Sequence, residues 1–503
     1  MKYIIVIDEG TSSTRATVFD TDGNRVHYAQ KLIENLYPKP GWFECDANEL
    51  WLSTKEVIQK AVEESGISTE DIISVGMTAQ RESAIVWDRE TGEPVYNCIV
   101  WLDRRTDEYC EKLNKNPLNL LKLHMKTGLI ITSFFPAVKV EWMLDNLPGL
   151  RDRANNGQLC FGTVDTWLIY NMTGKQTFVA EQSGASRTQL FNINTLQWDD
   201  DMLKMFNIPR CMVAENVLPS DSVFGDMVDV FDRPIPIAGV LGDQQSATFG
   251  QQCFEEGQGK ISLGTAGLMC LNVGHRHKSS FKLLSTIGWN VKGKVSYNYE
   301  MGFYFCGGLM DWLKSMNFVA ETPDTAEMAR SVPDTHGIKF VSTFYGMSAP
   351  KVLDSARGAI FGLSAGITPA HIVRAALESI AYQSKDTYDI MRKEVKKAKI
   401  KMGITRLSAD GGVANNDFVM QSMADMMGKC IDRSECKEAT SLGALYMSGL
   451  AMGVWADFDA LKRLHHVEKV FQPQISGKER TERENSWDAA VRGSIVWAED
   501  KMK

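Results

Sequence analysis

Residues 3–15 read YIIVIDEGTSSTR and combine a short apolar run with a polar, glycine-containing turn. The first of them are β-branched or aromatic and too few for a helix, so they predict a buried strand that ends at Asp8. Gly10 permits a tight turn, and residues 16–20 (ATVFD) predict a second strand. The stretch is therefore expected to be a β-hairpin with a polar tip.

The tip of this hairpin has the composition of an anion-binding loop. Thr11, Ser12 and Ser13 provide hydroxyls and backbone N–H groups, and Arg15 adds a permanent positive charge. Asp8 would repel a bound phosphate unless a divalent cation lay between them, which predicts that Asp8 holds Mg²⁺ directly or through water. The alternative is an ordinary glycine-containing hairpin loop.

The same pattern returns half a chain length later. Residues 260–273 read KISLGTAGLMCLNV, which is a strand, a glycine turn and another strand. A further glycine turn at 410–412 (DGG) follows a predicted strand at 406–409, and such a turn lets a ligand approach the backbone and a helix N-terminus. The repetition favours phosphate binding over the ordinary hairpin loop.

The length and composition limit the classes of protein to consider. A chain of 503 residues suits two domains of roughly 250 residues each. The net charge of −8 argues against nucleic acid or an anionic membrane as a partner, because either would require a basic face. The ten cysteines show no C-x-x-C pair or His/Cys metal spacing, which is typical of reduced core residues.

The start of the chain and its hydropathy predict a location. The sequence begins directly with a strand, and no stretch of about twenty apolar residues occurs anywhere in it. We therefore expect no signal peptide and no membrane span. The expected location is the cytoplasm.

Polar side chains that could bind a polyol follow two further predicted strands. Arg81 and Glu82 come after a strand at 73–78, and Trp101 ends a strand at 98–101. An arginine donates hydrogen bonds in a fork and a glutamate accepts them from hydroxyls, so the pair is suited to a polyol. The alternative for the pair is a surface ion pair without function.

A candidate general base follows the apolar run 235–240. Asp243 and Gln244 lie in the motif GDQQ at the predicted carboxyl end of that strand, where α/β proteins usually bind ligands. A carboxylate there can accept the proton of a hydroxyl that attacks phosphorus, and Gln244 can bind a neighbouring hydroxyl. The alternative is a simple turn.

The whole set of motifs resembles a known family. Two phosphate hairpins and a late DGG turn are similar to the layout of actin, hexokinase and Hsp70 ATPases. Residues 134–146 (FFPAVKVEWMLDN) resemble the first signature of the FGGY carbohydrate kinases, and residues 358–378 fit the second. Residues 78–82, 161–170, 184–191 and 242–245 look like the glycerol kinases within that family.

The resemblance implies a fold and an activity. The expected fold is α/β, a two-domain actin-like ATPase (ribonuclease H-like) fold with the active site in the interdomain cleft. The N-terminal FGGY domain is expected at 1–247 and the C-terminal one at 248–503. The implied activity is ATP-dependent phosphorylation of a terminal hydroxyl of a small polyol. Glycerol, which would give glycerol 3-phosphate, is the leading candidate substrate. The family's habit suggests a homodimer or homotetramer.

The resemblance also assigns roles to residues. Asp243 would be the catalytic base and Asp8 the Mg²⁺ ligand. The implied polyol contacts are Arg81, Glu82, Trp101, Phe134, Asp243, Gln244 and Leu268. The implied ATP contacts are Thr11, Ser12, Ser13, Arg15, Thr265, Gly307, Asp311, Gly412 and Asn416.

Several residues depart from the glycerol kinase pattern. Phe134 replaces a tyrosine and Leu268 a phenylalanine, which makes the expected pocket less polar and roomier. Ala266 replaces a glycine, Asp311 a glutamine, and the loop 346–354 loses a Tyr-Trp pair. Two alternatives therefore stay open: a kinase for another small polyol or keto-polyol, and a non-catalytic relative that binds nucleotide or sugar.

Overall fold

The computed structural model describes residues 1–353, 355–435, 438–464 and 466–500, so Asp354 of the altered loop lies outside the described residues. These residues form two compact units. Unit 1 contains Met1–Phe254, Val273–Asn298 and residues 438–464. Unit 2 contains Glu255–Asn272, the described residues of 299–435, and residues 466–500. Two segments from the second half of the sequence thus fold with unit 1, and the contiguous division at 247/248 stays a prediction.

Strands and helices are interspersed along the described residues of both units. The strands are β1 (Tyr3–Glu9), β2 (Ser13–Asp20), β3 (Arg25–Leu32), β4 (Glu44–Cys45), β5 (Ile72–Ala79), β6 (Ile85–Asp88), β7 (Cys98–Ile99), β8 (Leu159–Gly162), β9 (Val179–Glu181), β10 (Phe191–Asn192), β11 (Gln197–Trp198), β12 (Asn216–Leu218), β13 (Val223–Met227), β14 (Ile235–Gly242), β15 (Gln258–Leu263), β16 (Gly267–Asn272), β17 (Leu284–Val291), β18 (Lys294–Phe303), β19 (Lys339–Val341), β20 (Ala359–Phe361), β21 (Arg406–Asp410), β22 (Ile431–Ser434) and β23 (Val467–Phe471). The α-helices are α1 (Ala47–Ser65), α2 (Asp107–Asn114), α3 (Pro117–Thr127), α4 (Pro136–Asn146), α5 (Leu150–Asn155), α6 (Val164–Met172), α7 (Gln182–Ala185), α8 (Asp200–Met205), α9 (Asp243–Gly250), α10 (Gly307–Ser315), α11 (Thr325–Arg330), α12 (Pro369–Lys397), α13 (Asp417–Met427), α14 (Ala439–Ala451), α15 (Phe458–Lys462) and α16 (Gly477–Asp500).

The central sheet of unit 1 has the strand order β13-β14-β5-β1-β2-β3. The predicted hairpin is formed by β1 and β2, which pair antiparallel, while β5 pairs parallel with both β1 and β14. Parallel pairing places the carboxyl ends of β1, β5 and β14 at one edge of the sheet. That edge carries the polar motifs found in the sequence.

Unit 2 repeats the same local topology. In the strand order β16-β15-β21-β22-β23, β15 and β16 form an antiparallel hairpin and β21 pairs parallel with β15 and with β22. A hairpin followed by two parallel strands therefore occurs once in each unit. This repetition is what the two glycine hairpins in the sequence predicted.

Helices cover the sheet of unit 1 because their apolar residues recur at helical spacing. Leu50, Val57 and Ile58 of α1 are buried in the same core as residues of β1 and β5. On α14, Ser448 lies so close to Gly76 and Gly239 of the sheet that a Cβ at either glycine would come within 2.8 Å of it. Glycine at these two strand positions allows the helix to pack directly on the backbone.

The two ends of α1 can be compared with the capping residues that the sequence predicts. The sequence predicts a helix at about 47–65, in which Asp46 with Glu49 resembles a capping box and Gly66 stops the helix. In the structure, Asp46 accepts hydrogen bonds from the backbone of Asn48 and Glu49, and Gly66 ends the helix in the left-handed conformation. The expected reciprocal cap from Glu49 is wrong, because its carboxylate accepts from the backbone N–H of Glu34 instead. No helix among the described residues has both the length and the apolar composition that a membrane crossing requires.

Candidate active site

The strand ends of unit 1 bring three predicted site residues to one edge. In the parallel register, Thr78 of β5 pairs with Asp8 of β1 and with Leu241 of β14. Arg81 follows β5 by two residues, and Asp243 follows β14 directly as the first residue of α9. The sheet order therefore places Asp8, Arg81 and Asp243 side by side, although they are far apart in the sequence.

Arg81 makes the central ion pair of this edge. Its Nε lies 3.0 Å from Oδ1 of Asp243, and its Nη1 donates a hydrogen bond of 3.1 Å to Oε1 of Gln245. The Arg81 side chain is only 5% exposed and that of Glu82 4%, while that of Asp243 is 32% exposed. A surface ion pair is thus excluded for Arg81 and Glu82, and Asp243 is the accessible member of the cluster.

Glu82 is held in an unusual backbone conformation. Its φ of 64° lies in the left-handed region, which costs a non-glycine residue on the order of 1–3 kcal/mol. The carboxylate accepts a hydrogen bond of 2.5 Å from Nε of the buried Arg187, and the main-chain carbonyl faces Nζ of Lys139 at 3.3 Å. Neither Arg187 nor Lys139 was assigned a role from the sequence. No motif in the sequence indicated that Arg187 and Lys139 contact Glu82.

The turn before Asp243 rests on a second buried carboxylate. The backbone N–H of Gly242 donates to Oγ of Ser183, which in turn donates to Glu181. Glu181 also accepts from Oγ of Ser220, and burial raises the pKa of Glu181 to about 7. Because Gly242 immediately precedes Asp243, this network of buried hydrogen bonds holds the backbone at Asp243 in place.

Gln244 lies beside Asp243 on α9. Its backbone N–H donates a hydrogen bond of 2.6 Å to Oδ1 of Asp243, and its side chain is partly buried. The amide of the next residue, Gln245, binds Arg81 and the carbonyl of Ile287. Gln244 is thus the more accessible of the two amides, and its role toward a hydroxyl stays a prediction.

Trp101 connects the predicted polyol pocket to the hairpin tip. Its indole Nε1 donates a hydrogen bond of 2.8 Å to Oγ1 of Thr11. Its ring meets that of Phe134 edge to face, with a centroid distance of 5.3 Å. Trp101 follows β7, which ends at Ile99 and is shorter than the predicted strand. Trp101, Phe134 and Thr11 thus form one continuous wall in unit 1.

The hairpin tip is built largely as expected. Gly10 N–H donates to the carbonyl of Ser13, Ser12 is exposed, and Oγ of Ser13 accepts from Gln30. Arg15 already has an anionic partner, because its Nη1 lies 2.9 Å from Oε1 of Glu438. A phosphate at this tip would therefore share Arg15 with Glu438.

Two adjacent carboxyl groups at the end of β1 have raised pKa values. Burial raises the pKa of Asp8 to about 6; Arg15 opposes the rise and the negative charge of Asp243 adds to it. Burial raises the pKa of Glu9 to about 8. Asp8 also accepts a hydrogen bond of 3.3 Å from Ser441. Glu9 points to the opposite face of the strand, where it accepts a hydrogen bond from Thr54. Asp8 and Asp243 are hard oxygen donors whose mutual repulsion a divalent cation would relieve, so this edge fits Mg²⁺.

Unit 2 contains the second hairpin. Gly264, Thr265 and Ala266 are exposed at its tip. The carbonyl of Thr265 accepts from the backbone of Cys306, and that of Gly264 accepts from Gly307 at 2.7 Å. The tip is thereby bound to the start of α10, so Thr265 and Gly307, two predicted nucleotide contacts, are brought together.

Two other predicted residues of unit 2 lie on the neighbouring elements. Leu268 is partly buried on β16, and a Cβ at Gly302 would lie 3.3 Å from its Cδ1. Asp311 is exposed on α10, one helical turn beyond Gly307. Their placement leaves both side chains accessible from solvent.

The third glycine turn follows β21. Gly411 has a φ of 90°, and a Cβ there would lie 2.5 Å from the carbonyl oxygen of Leu263, so only glycine fits. Gly412 is exposed with open space around it. Asn416 immediately precedes α13, and its side-chain oxygen accepts hydrogen bonds from the backbone N–H groups of Phe418 and Val419. The side chain of Asn416 thus serves as a helix cap.

The comparisons with known proteins agree with this arrangement. Residues 3–250 match the N-terminal domain of the FGGY family of carbohydrate kinases, and residues 259–452 match its C-terminal domain. Glycerol kinase 2 of Thermotoga maritima is 44% identical over 500 residues, 99% of each chain. The glycerol kinase of Bacillus subtilis is 42% identical over 499 residues, 98% of this chain and 99% of its own.

Solved structures give the same result. The crystal structure of Plasmodium falciparum glycerol kinase with ADP superposes with a TM-score of 0.92 at 33% identity and covers 98% of both chains. A ligand-bound xylulose kinase from Lactobacillus acidophilus has a TM-score of 0.87 at 20% identity over the full length of both chains. The second likeness shows the fold alone, which these kinases share.

Proposed function

The chain belongs to the FGGY family of carbohydrate kinases, and we propose that it transfers the γ-phosphoryl group of ATP to a terminal hydroxyl of glycerol, giving glycerol 3-phosphate. Relatives named as glycerol kinases align with it over nearly their whole length. The predicted fold class is confirmed, since it is the two-domain, actin-like ATPase fold of this family.

The ion pair between Arg81 and Asp243 is the observation that carries the proposal. A buried guanidinium orients a carboxylate that keeps 32% of its side chain exposed, at the end of a parallel strand. Asp243 would accept the hydroxyl proton as the oxygen attacks the γ-phosphorus. Arg81 would hold that carboxylate in one orientation and Gln244 would bind an adjacent hydroxyl.

The other roles follow from where the side chains lie. In unit 1, Glu82, Trp101 and Phe134 would line the polyol pocket. The hydroxyls of Thr11, Ser12 and Ser13, with Arg15, would bind phosphate oxygens. Asp8 would hold Mg²⁺, which when bound would neutralise negative charge on the phosphates. In unit 2, the predicted nucleotide contacts are Thr265, Gly307, Asp311, Gly412 and Asn416.

A second candidate function has support from two residues. Phe134 lacks the hydroxyl of a tyrosine, and Leu268 is smaller than the phenylalanine of glycerol kinases. A missing hydrogen bond at Phe134 and a smaller side chain at Leu268 each weaken selection for glycerol, which favours another small polyol or a keto-polyol as the alternative substrate. A cytoplasmic location and a homodimer or homotetramer belong to this proposal as expectations from the family.

The test is ADP release by the purified chain, coupled to a spectroscopic readout, over a panel of polyols and ketoses with three to five carbons. We expect the highest kcat/KM with glycerol. Without Mg²⁺ we expect no ADP release with any substrate. A preference for a longer polyol would replace glycerol by the second candidate. No ADP release with any member of the panel would contradict a kinase and favour a binding protein.

A further inference from the structure

Lys139 is a completely buried lysine in α4, outside the catalytic and binding roles proposed above. Its Nζ donates hydrogen bonds to the main-chain carbonyls of Phe134 at 2.6 Å and Ser133 at 2.8 Å. The same atom lies 3.3 Å from the carbonyl oxygen of Glu82. Lysine is rarely buried so fully without a partner, and here its closest partners are backbone carbonyls.

These carbonyls belong to two separate segments of the chain. One segment precedes α4 and carries Phe134, while the other follows β5 and carries Glu82, 57 residues from Lys139. Phe134 contacts Trp101, and Glu82 lies next to Arg81. The single nitrogen of Lys139 therefore ties together the backbones of two residues that are both predicted to contact the polyol.

Simple stabilisation of the helix does not account well for this lysine. Burial lowers the pKa of Lys139 to about 7, although the carboxylates of Glu82 and Asp103 oppose that effect. An apolar side chain of similar length would fill the same space without the cost of burying an amine. The contact with Glu82 also supports a residue whose backbone is in the left-handed region. Lys139 thus contacts the main chain at a residue, Glu82, whose backbone conformation needs support from its surroundings.

We propose that Lys139 is a positioning residue of the polyol site: it binds the main chain at Phe134 and at Glu82 and thereby sets the distance between these two predicted polyol contacts. This role rests on the proposed function, since it concerns the same pocket. Lys139 does not touch the polyol itself. Its effect would reach the substrate through the side chains of Phe134 and Glu82.

The test replaces Lys139 by methionine. We expect the KM for the preferred polyol to rise about tenfold or more, because misplaced binding groups lose contacts with the bound substrate. The calorimetric Kd for that polyol without nucleotide should rise by the same factor. The KM for ATP should change by no more than about twofold, since the ATP contacts would keep their places.

The matched control is Lys385→Met in α12 of unit 2. Lys385 is also a buried lysine, 6% exposed, and it pairs with Asp389 and Glu484. Its loss should lower Tm without changing the KM or Kd for the polyol. If Lys139→Met does not fold, Lys139→Gln is measured by the same criteria, because its amide nitrogen is one bond closer to the helix than Nζ and cannot bridge the carbonyls of Phe134 and Glu82 as the lysine does.

The outcomes separate the two proposals. A Lys139 variant that folds, lowers Tm as the control does and leaves the KM and Kd for the polyol unchanged would overturn the positioning role while the kinase assignment stands. A wild-type chain that neither binds nor phosphorylates any polyol of the panel would overturn the proposed function, and the Lys139 role with it. A selective rise in KM and Kd for the polyol supports both.

Discussion

Arg81 and Asp243 are paired across the edge of one sheet, with Nε of the arginine 3.0 Å from Oδ1 of the aspartate. The arginine follows β5 and the aspartate follows β14, so their contact depends on the parallel pairing of these two strands. Arg81 is buried, and its Nη1 donates a hydrogen bond to Gln245. Because these contacts fix the guanidinium group, it holds the carboxylate of Asp243 in one orientation. A change that keeps the shape of Asp243 therefore tests its chemistry rather than its placement.

Asp243→Asn should lower kcat by about 10²–10⁴ and leave the KM for the polyol nearly unchanged. An asparagine keeps the shape and can still bind a hydroxyl, but it cannot accept the proton. The measurement is steady-state ADP release, with Asp226→Asn, an exposed aspartate of β13, as the control. Turnover like that of the wild type in Asp243→Asn would remove Asp243 from the role of base.

The double variant Phe134→Tyr with Leu268→Phe tests the substrate. If the native pocket is a loosened glycerol site, the KM for glycerol should fall by about one to two orders of magnitude. The tyrosine hydroxyl is worth about 0.5–1.5 kcal/mol and the larger apolar wall about 1–2 kcal/mol more. The two single variants separate these contributions in the same assay.

The opposite sign is expected if the pocket is shaped for a larger polyol. Added bulk in a filled pocket costs about 1–3 kcal/mol, so the double variant would then lose activity on its own substrate. A folded double variant that is worse on glycerol than the parent chain would rule out glycerol as the physiological substrate. The larger polyol would then be preferred.

Gly411→Ala and Gly412→Ala should separate folding from nucleotide binding. An alanine at Gly411 would be strained at a φ of 90° and would meet Leu263 at 2.5 Å, so we expect a loss of about 2 kcal/mol or more in the free energy of unfolding. Gly412 has open space, so its alanine variant should keep its stability. Denaturant unfolding measures the free energy of unfolding of each variant, and the KM for ATP reports on nucleotide binding.

For Gly412→Ala we expect a raised KM for ATP, because a methyl group would stand where the nucleotide approaches the backbone. Equal stability of the two variants would contradict the steric argument for Gly411. An unchanged KM for ATP in Gly412→Ala would remove Gly412 from the nucleotide contacts.

Asp386→Asn should change how the stability depends on pH. Burial raises the pKa of Asp386 to about 7, and its Oδ2 accepts a hydrogen bond of 2.8 Å from Trp487. The unfolded chain loses this proton near pH 4, so the folded state binds more protons between about pH 4 and pH 7. The contribution of Asp386 to stability is therefore present below about pH 4 and is lost as the pH rises through about 7.

Asparagine cannot ionise and can still accept from the indole, so the variant escapes that loss. Compared with the wild type, we expect a gain of about 1–3 kcal/mol in the free energy of unfolding at about pH 8 and little change at about pH 4. Urea unfolding at both pH values is the measurement. A difference between the two chains that does not vary with pH would contradict the raised pKa.

Local signals in the sequence determined the secondary structure around the site. Short β-branched runs ending in glycine turns predicted both hairpins, and Asp46 with Gly66 predicted both ends of α1. These signals work because strand alternation, turn geometry and helix capping depend on residues only a few positions apart. The carboxylates and glycines that follow the predicted strands could also be identified from the sequence, because they stand directly after each apolar run.

The tertiary structure alone decided which side chains meet. Lys139 reaches Glu82 over 57 residues, Arg187 reaches it over 105, and Arg15 meets Glu438 over 423. Such contacts depend on strand order and on helices that return from distant parts of the chain, and no local pattern encodes that order. Local sequence patterns thus predict the hairpins, the turns and the types of side chain at the site, while the burial of those side chains and their supporting contacts follow from the packing of distant segments.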